Sequence, residues 1–265
     1  MEKMKTLVKI SLVSAFILSL GVESLVAHAA DTPYVSNGIL DMIPGTGGTP
    51  PLYPVDPDAN NPVEPIEPTP PNPGTAGPLS LDYASIWDFG KQKISTKDEV
   101  YYAKLIPLKD GRSVAPYVQV SDLRGTNSGW SLFVRQEEQF ENEELTNSEL
   151  TGAELHFGSG GDVSGTQSNI DYASNVPYSR NGPLVPGGGN VNVFLASEGA
   201  GSMTWLRSFG DNYGGGQTPS TAVRLSIPGQ TPKDAGQYKT TLTWTLSDVP
   251  APPRPVLPDA PEPLN

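Results

Sequence analysis

The stretch Asp234-Ala-Gly236-Gln-Tyr238-Lys-Thr240-Thr-Leu242-Thr-Trp244-Thr-Leu246 decides the fold class. Tyr238, Thr240, Leu242, Trp244 and Leu246 share one phase of a two-residue period, while Lys239, Thr241, Thr243 and Thr245 fill the other. This alternation predicts a long β-strand with one face on a core. The preceding Asp-x-Gly-x-Tyr has the spacing of a tyrosine corner, in which the hydroxyl of Tyr238 bonds back to the backbone across a turn, as in immunoglobulin-like sandwiches. Cysteine, which often follows that tyrosine, is absent here.

The same period appears elsewhere. Leu79, Leu81 and Tyr83 alternate with polar residues, as do Trp130, Leu132 and Val134. Further strands are expected over residues 100–106, 116–121, 154–157, 191–197, 203–209 and 222–227, with Gly/Asn/Ser/Asp-rich turns between them, notably at 158–165, 187–190 and 211–216. No segment carries a 3.6-residue apolar stripe, and 137–149 is the only short-helix candidate. Many short strands joined by such turns predict an all-β fold, a Greek-key, immunoglobulin-like β-sandwich.

Proline marks out the domains. The chain has 265 residues with 28 prolines. Twelve lie between Asp41 and Pro78, seven after Val249 and one at Pro33, leaving only eight between Leu79 and Val249. Segments so poor in apolar residues bury too little to offset chain entropy, and proline favours extended polyproline-II geometry. The expected order is a signal peptide at 1–29, an acidic, disordered Pro-rich linker at 30–78, a β domain at 79–249 and a Pro-rich tail at 250–265. The signal peptide reading rests on Lys3, Lys5 and Lys9, an uncharged apolar run from Ile10 to Gly21, and Ala27-His-Ala29 before the cleavage point. Twelve apolar residues are too few to span a bilayer, so export without a membrane span is expected. No sorting signal is expected at the C-terminus: Leu257-Pro-Asp-Ala260 has neither an apolar segment nor a basic end after it.

Composition excludes several chemistries. Zero cysteines rule out disulfides, thiolate metal sites and thiol catalysis. A formal charge of −12 argues against nucleic acid as partner. His156 is the only histidine after the signal segment, and flanking Leu155 and Phe157 place it on the polar face of its strand. No Gly-x-Ser-x-Gly elbow occurs. Seven glutamates from Glu137 to Glu154 could include a glycosidase pair, but their density and polarity predict a solvated acidic segment. Asp56, Asp58, Asn60 and Glu67 approach the spacing of a calcium loop, yet position six is Asn61 rather than glycine and three prolines fall inside it. No catalytic residue, metal or cofactor is therefore expected. Lys91, Lys93, Lys97, Lys104, Lys109 and Arg112 concentrate basic charge at the start of the domain, either as solvated edges or as a face toward anionic polymers.

Two tripeptides, Trp130-Ser-Leu132 and Trp244-Thr-Leu246, carry a resemblance. With Leu81-Asp-Tyr83, Trp87-Asp-Phe-Gly90, Gly201-Ser-Met-Thr-Trp205, Phe209-Gly210 and the closing run Leu242 to Pro250, they resemble the WxL family of Gram-positive surface proteins across residues 79–250. The Pro-rich tail after Pro250 departs from the family's usual end. The resemblance implies secretion and non-covalent attachment to the cell wall, with peptidoglycan as ligand. It also implies assembly with other WxL-type or membrane-anchored surface proteins. The alternative is an adhesin or assembly subunit that binds a host or partner protein. Trp130, Leu132, Trp244 and Leu246 are the candidate binding residues, although their phase with Val134 and Leu242 also suits a core.

Overall fold

The computed structural model describes residues 37–69, 73–158, 163–166, 176–210 and 221–253; the signal segment 1–29 lies outside them. In chain order the strands are β1 (Leu79–Ala84), β2 (Glu99–Tyr102), β3 (Ile106–Pro107), β4 (Ser113–Val114), β5 (Tyr117–Asp122), β6 (Trp130–Gln136) and β7 (Glu154–Phe157). They continue with β8 (Val163–Gly165), β9 (Tyr178–Ser179), β10 (Gly182–Leu184), β11 (Val191–Ala196), β12 (Met203–Ser208), β13 (Val223–Ile227) and β14 (Leu242–Ser247). The fold is all-β, with no helix among the described residues.

Three four-stranded antiparallel sheets form, ordered β1-β5-β12-β8, β10-β7-β13-β2 and β14-β6-β11-β9, and β3 pairs with β4. Neighbours in each sheet are distant in sequence, so the chain crosses between sheets repeatedly. The three sheets share one core: Leu81, Val118 and Val120 from the first, Leu155, Phe157, Val223 and Leu225 from the second, Trp130, Leu132, Val134 and Phe194 from the third. Burial follows the predicted alternation. Val223, Leu225 and Ile227 are buried while Arg224 is exposed, and Leu155 and Phe157 are buried around a half-exposed His156.

The tyrosine corner is present. The Tyr238 hydroxyl donates to the Asn147 carbonyl at 2.7 Å and accepts the Asp234 amide at 2.9 Å. The Asp234 carboxylate accepts the Asn147 amide and side chain, both at 2.8 Å; the backbone bond is the leading reason that its pKa is lowered. This corner pins the acidic segment, which is a turn-rich loop and not the short helix considered for 137–149. Glutamates at 137, 141 and 144, or 138 and 141, would repel one another at helical spacings of three and four. Phe140 and Leu150 anchor the loop in the core instead, and Glu141, Glu143, Glu144 and Glu149 remain in solvent.

Part of the Pro-rich segment packs against the β domain. Residues 49–67 turn twice, with the Val63 amide donating back to the Pro51 carbonyl at 2.8 Å, and lie as a strap on the outer face of the first sheet. Leu52 and Val63 are buried with Tyr83, Ile106, Leu108, Val114, Tyr117 and Leu206 in a second apolar cluster. Proline cannot donate to a ladder, but the carbonyls around it can accept. The buried Gln119 side chain donates to the Thr49 and Pro50 carbonyls and accepts the Leu52 amide at 2.8 Å. Ser164 donates to the Pro54 carbonyl at 2.7 Å, and the Ile66 amide donates to the Pro107 carbonyl at 2.8 Å. With core on one face and strap on the other, every residue of β5 is buried. The tail is likewise held at its start. Ala251 is buried and donates to the Ala196 carbonyl, while the Pro252 carbonyl accepts Tyr178 and Ser197 hydroxyls.

Two carboxylates lie at the strap contact. Asp82 is held by the neutral donors Ser80, Gln119 and Ser121. Glu67 accepts the Tyr83 hydroxyl and the Ile86 amide. Burial raises both pKa values, against the lowering effect of these hydrogen bonds. A raised folded-state pKa favours the native state below the ordinary carboxylate range, and that contribution is lost as pH rises through the folded value. Two outcomes are expected. Leu52→Ala should cost about 2–5 kcal/mol, read as a lower melting temperature for residues 30–265. Glu67→Gln should become more stable relative to the parent as pH is raised from about 4 to 7, read by paired thermal melts at each pH.

Candidate functional site

The two Trp-x-Leu tripeptides form one structural unit. β6 and β14 are antiparallel neighbours, with Leu132 opposite Leu246 and Val134 opposite Trp244. The strands also differ in position. β6 lies inside its sheet, between β14 and β11, whereas β14 is an edge. Trp130 and Leu132 consequently expose 0% of their surface. Trp244 and Leu246 are half-buried and pack on the core.

Trp130 is held by distant residues. Its Nε1–H donates to the Gly201 carbonyl at 2.9 Å, and its ring meets Phe194 edge-on with centroids 5.0 Å apart. Gly201 has φ +79°, and a Cβ there would lie 2.6 Å from the indole nitrogen. The requirement for glycine at the head of Gly201-Ser-Met-Thr-Trp205 thus comes from its positive φ and from the close approach of this indole and of Ala196 Cβ, 2.5 Å from an added Cβ. Gly129, just before Trp130, has φ +73° and sits against the Ala196 and Ser197 carbonyls. Trp130→Ala should cost about 3–5 kcal/mol and abolish cooperative unfolding near the parent's melting temperature. Trp244→Ala, on the half-exposed edge, should lower that temperature by less; paired calorimetric scans would measure both.

Trp244 opens onto an aromatic junction where all three sheets meet. Its ring is 5.9 Å from Trp87, edge-on, and 6.3 Å from Phe209. Trp87 in turn is 5.3 Å from Phe209 and 6.2 Å from Phe157. Trp87 follows β1, Phe157 ends β7 and Phe209 follows β12, so residues 35 to 157 positions apart in sequence converge. The Nε1–H of Trp87 is buried without an acceptor.

Arg207 stands on the same two phenylalanine rings. Its guanidinium carbon is 4.3 Å from the Phe209 centroid and 5.4 Å from that of Phe157. The side chain is among the largest fully buried ones, with the residue 1% exposed. Nη2 makes a long bond of 3.3 Å to the Gly158 carbonyl, while Nε and Nη1 have no acceptor. Burial lowers its pKa to about 9, still above neutrality, so the group is a buried cation. No ion pair of the described residues includes it. Sequence reasoning missed this residue. The signal was its phase: on β12 it is in step with Trp205 and Phe209, both core residues.

The remaining candidates lie elsewhere. His156 sits on β7 opposite Pro183 and Arg224; burial and, secondarily, the Arg224 charge lower its pKa. Three of the six clustered cations are paired, Lys104 with Asp88, Lys109 with Glu64 and Arg112 with Asp110, and Arg112 also stacks on Tyr53 of the strap. Lys91, Lys93 and Lys97 are exposed in the loop before β2 and enter no ion pair of the described residues. The acidic run does have a basic neighbour, since Arg135 pairs with Glu137. Among the described residues, no group of three or more histidines and carboxylates is placed to hold a metal ion, and no helix is long and apolar enough to cross a membrane. Glu67, the last position of the calcium-like spacing, is taken up by Tyr83 and Ile86.

Fold and site together define an all-β domain built around two paired Trp-x-Leu strands, with no metal cluster among its described residues. The chain belongs to the WxL family: the family's model, described as a WxL domain, surface cell wall-binding, matches residues 29–250. Searches of curated proteins and of solved structures give no match. The family is one of cell wall-binding domains rather than enzymes and points to the cell surface or wall. The match begins well before β1, so the strap falls within the family's unit.

Proposed function

We propose that the chain is exported and held non-covalently on the peptidoglycan of a Gram-positive cell wall, without enzymatic activity, alongside other WxL-type or membrane-anchored surface proteins. The family match across 29–250 carries the reading. The geometry supports a division of labour within the motifs. Trp130 and Leu132 expose no surface and organise the core, so wall contact falls to the side where Trp244 and Leu246 reach the edge of the sheet. Lys91, Lys93 and Lys97, exposed and in no ion pair among the described residues, supply positive charge that suits an anionic wall, an attraction that salt screens.

The test is sedimentation of residues 30–265 with purified peptidoglycan at low and high salt. Pelleting that weakens at high salt, with no soluble fragments released, is expected. Replacing Lys91, Lys93 and Lys97 together by alanine should remove most of the salt dependence while leaving the melting temperature unchanged. Failure to pellet, with capture of a partner protein instead, would favour the adhesin or assembly-subunit reading. Release of soluble muropeptides would show an enzyme.

A further inference from the structure

Arg207 is a cation in the wrong place for a purely structural residue. A guanidinium removed from water is tolerated when its donors are satisfied and its charge is paired. Here Nε and Nη1 have no acceptor, and Nη2 has only the 3.3 Å bond to the Gly158 carbonyl. Buried carboxylate exists in the same sheet, but Asp82 belongs to the opposite face, where Ser80, Gln119 and Ser121 satisfy it. An acid is buried on one face of the sheet, and on the other a base that no ion pair of the described residues includes, so the two have not been used to neutralise each other. Departures of this kind from local rules concentrate at functional positions.

The surroundings state what could complete the site. Phe157 and Phe209 present ring faces to the guanidinium. Beyond them Trp87 offers a second unpartnered donor, its buried Nε1–H. Trp244 continues the aromatic row to the half-exposed edge strand β14. Aromatic side chains beside a few unsatisfied polar donors are the usual make-up of a small-molecule subsite. The donors here all favour an anionic oxygen, and ring faces favour the flat apolar side of a sugar or an acyl group.

We propose that Arg207, with the Trp87 indole and the rings of Phe157, Phe209 and Trp244, forms a subsite for a carboxylate-bearing fragment of the wall ligand. The inference rests on the peptidoglycan reading and names the group recognised: a carboxylate of the muramic acid and stem-peptide portion. Trp244, the half-buried end of the row, is the point of entry. This assigns the second Trp-x-Leu motif a route to ligand that the first, sealed in the core, does not have.

Thermal shift and calorimetric titration of residues 30–265 with N-acetylmuramyl dipeptide test the proposal, beside the same compound with its one free carboxylate amidated and beside inorganic phosphate. The dipeptide is expected to raise the melting temperature, the amidated form to bind about tenfold or more weakly, and phosphate to have little effect. Arg207→Met is expected to melt at or above the parent temperature, since an uncompensated buried charge is removed, and to lose the response to the dipeptide. Equal responses of parent and variant would overturn the subsite, as would stabilisation of the parent by phosphate alone. If Arg207→Met does not fold, equal binding of the dipeptide and its amidated form by the parent overturns it equally well. Whole peptidoglycan separates the two readings: pelleting of the parent without any carboxylate preference sinks the subsite and leaves wall binding standing. A parent that does not pellet sinks wall binding itself.

Discussion

The pairing of β6 with β14 is the constraint on which the rest depends. It joins residues more than a hundred positions apart and sets Leu132 directly against Leu246. Because the side-chain period of a strand is two, this single register sends Trp130, Leu132, Val134, Leu242, Trp244 and Leu246 to one side. A slip of β14 by one residue would turn the threonines Thr243 and Thr245 inward and expose Trp244 and Leu246. The Trp-x-Leu spacing is thus the spacing of same-face neighbours on a strand. The tripeptide appears twice because two adjacent strands supply the same layer of core.

Around this layer the other quoted segments have physical reasons. Gly201 is where a backbone must come close enough for its carbonyl to accept the Trp130 indole. Trp87 and Phe209 close the junction against Trp244. The strap closes the opposite face of the first sheet, leaving β5 without a solvent side. In a chain without cysteine, burial on both faces of a central strand takes over part of the role that disulfides have in many secreted domains.

What could be read from the sequence followed the range of the interactions. The tyrosine corner is local, four residues from Asp234 to Tyr238, and its pattern named its hydrogen bond correctly. The strand phases of 130–134 and 242–246 were legible because period-two alternation is written in consecutive residues; that of 79–83 breaks at a bulge between Leu81 and Tyr83, which sends Leu81 to the main core and Tyr83 to the strap side. The strap was not legible, because composition weighs an average. Two apolar side chains, Leu52 and Val63, and a row of carbonyl acceptors suffice to seat a proline-rich segment that is polar overall. The three-sheet layout and the convergence of Trp87, Phe157, Arg207 and Phe209 were hidden for the opposite reason, since they depend on long-range topology. Arg207 alone left a trace, an arginine in the core phase of an otherwise apolar strand face.

The central claim is that the two Trp-x-Leu motifs act as one packed unit across β6 and β14. A double-mutant cycle on Leu132→Ala and Leu246→Ala, followed by reversible chemical unfolding, measures it most directly. Packed as one layer, the two substitutions should be coupled, with the double variant departing from the sum of the single losses by about 0.5 kcal/mol or more. Additivity within about 0.3 kcal/mol would mean that the leucines stabilise the fold independently and would contradict the account.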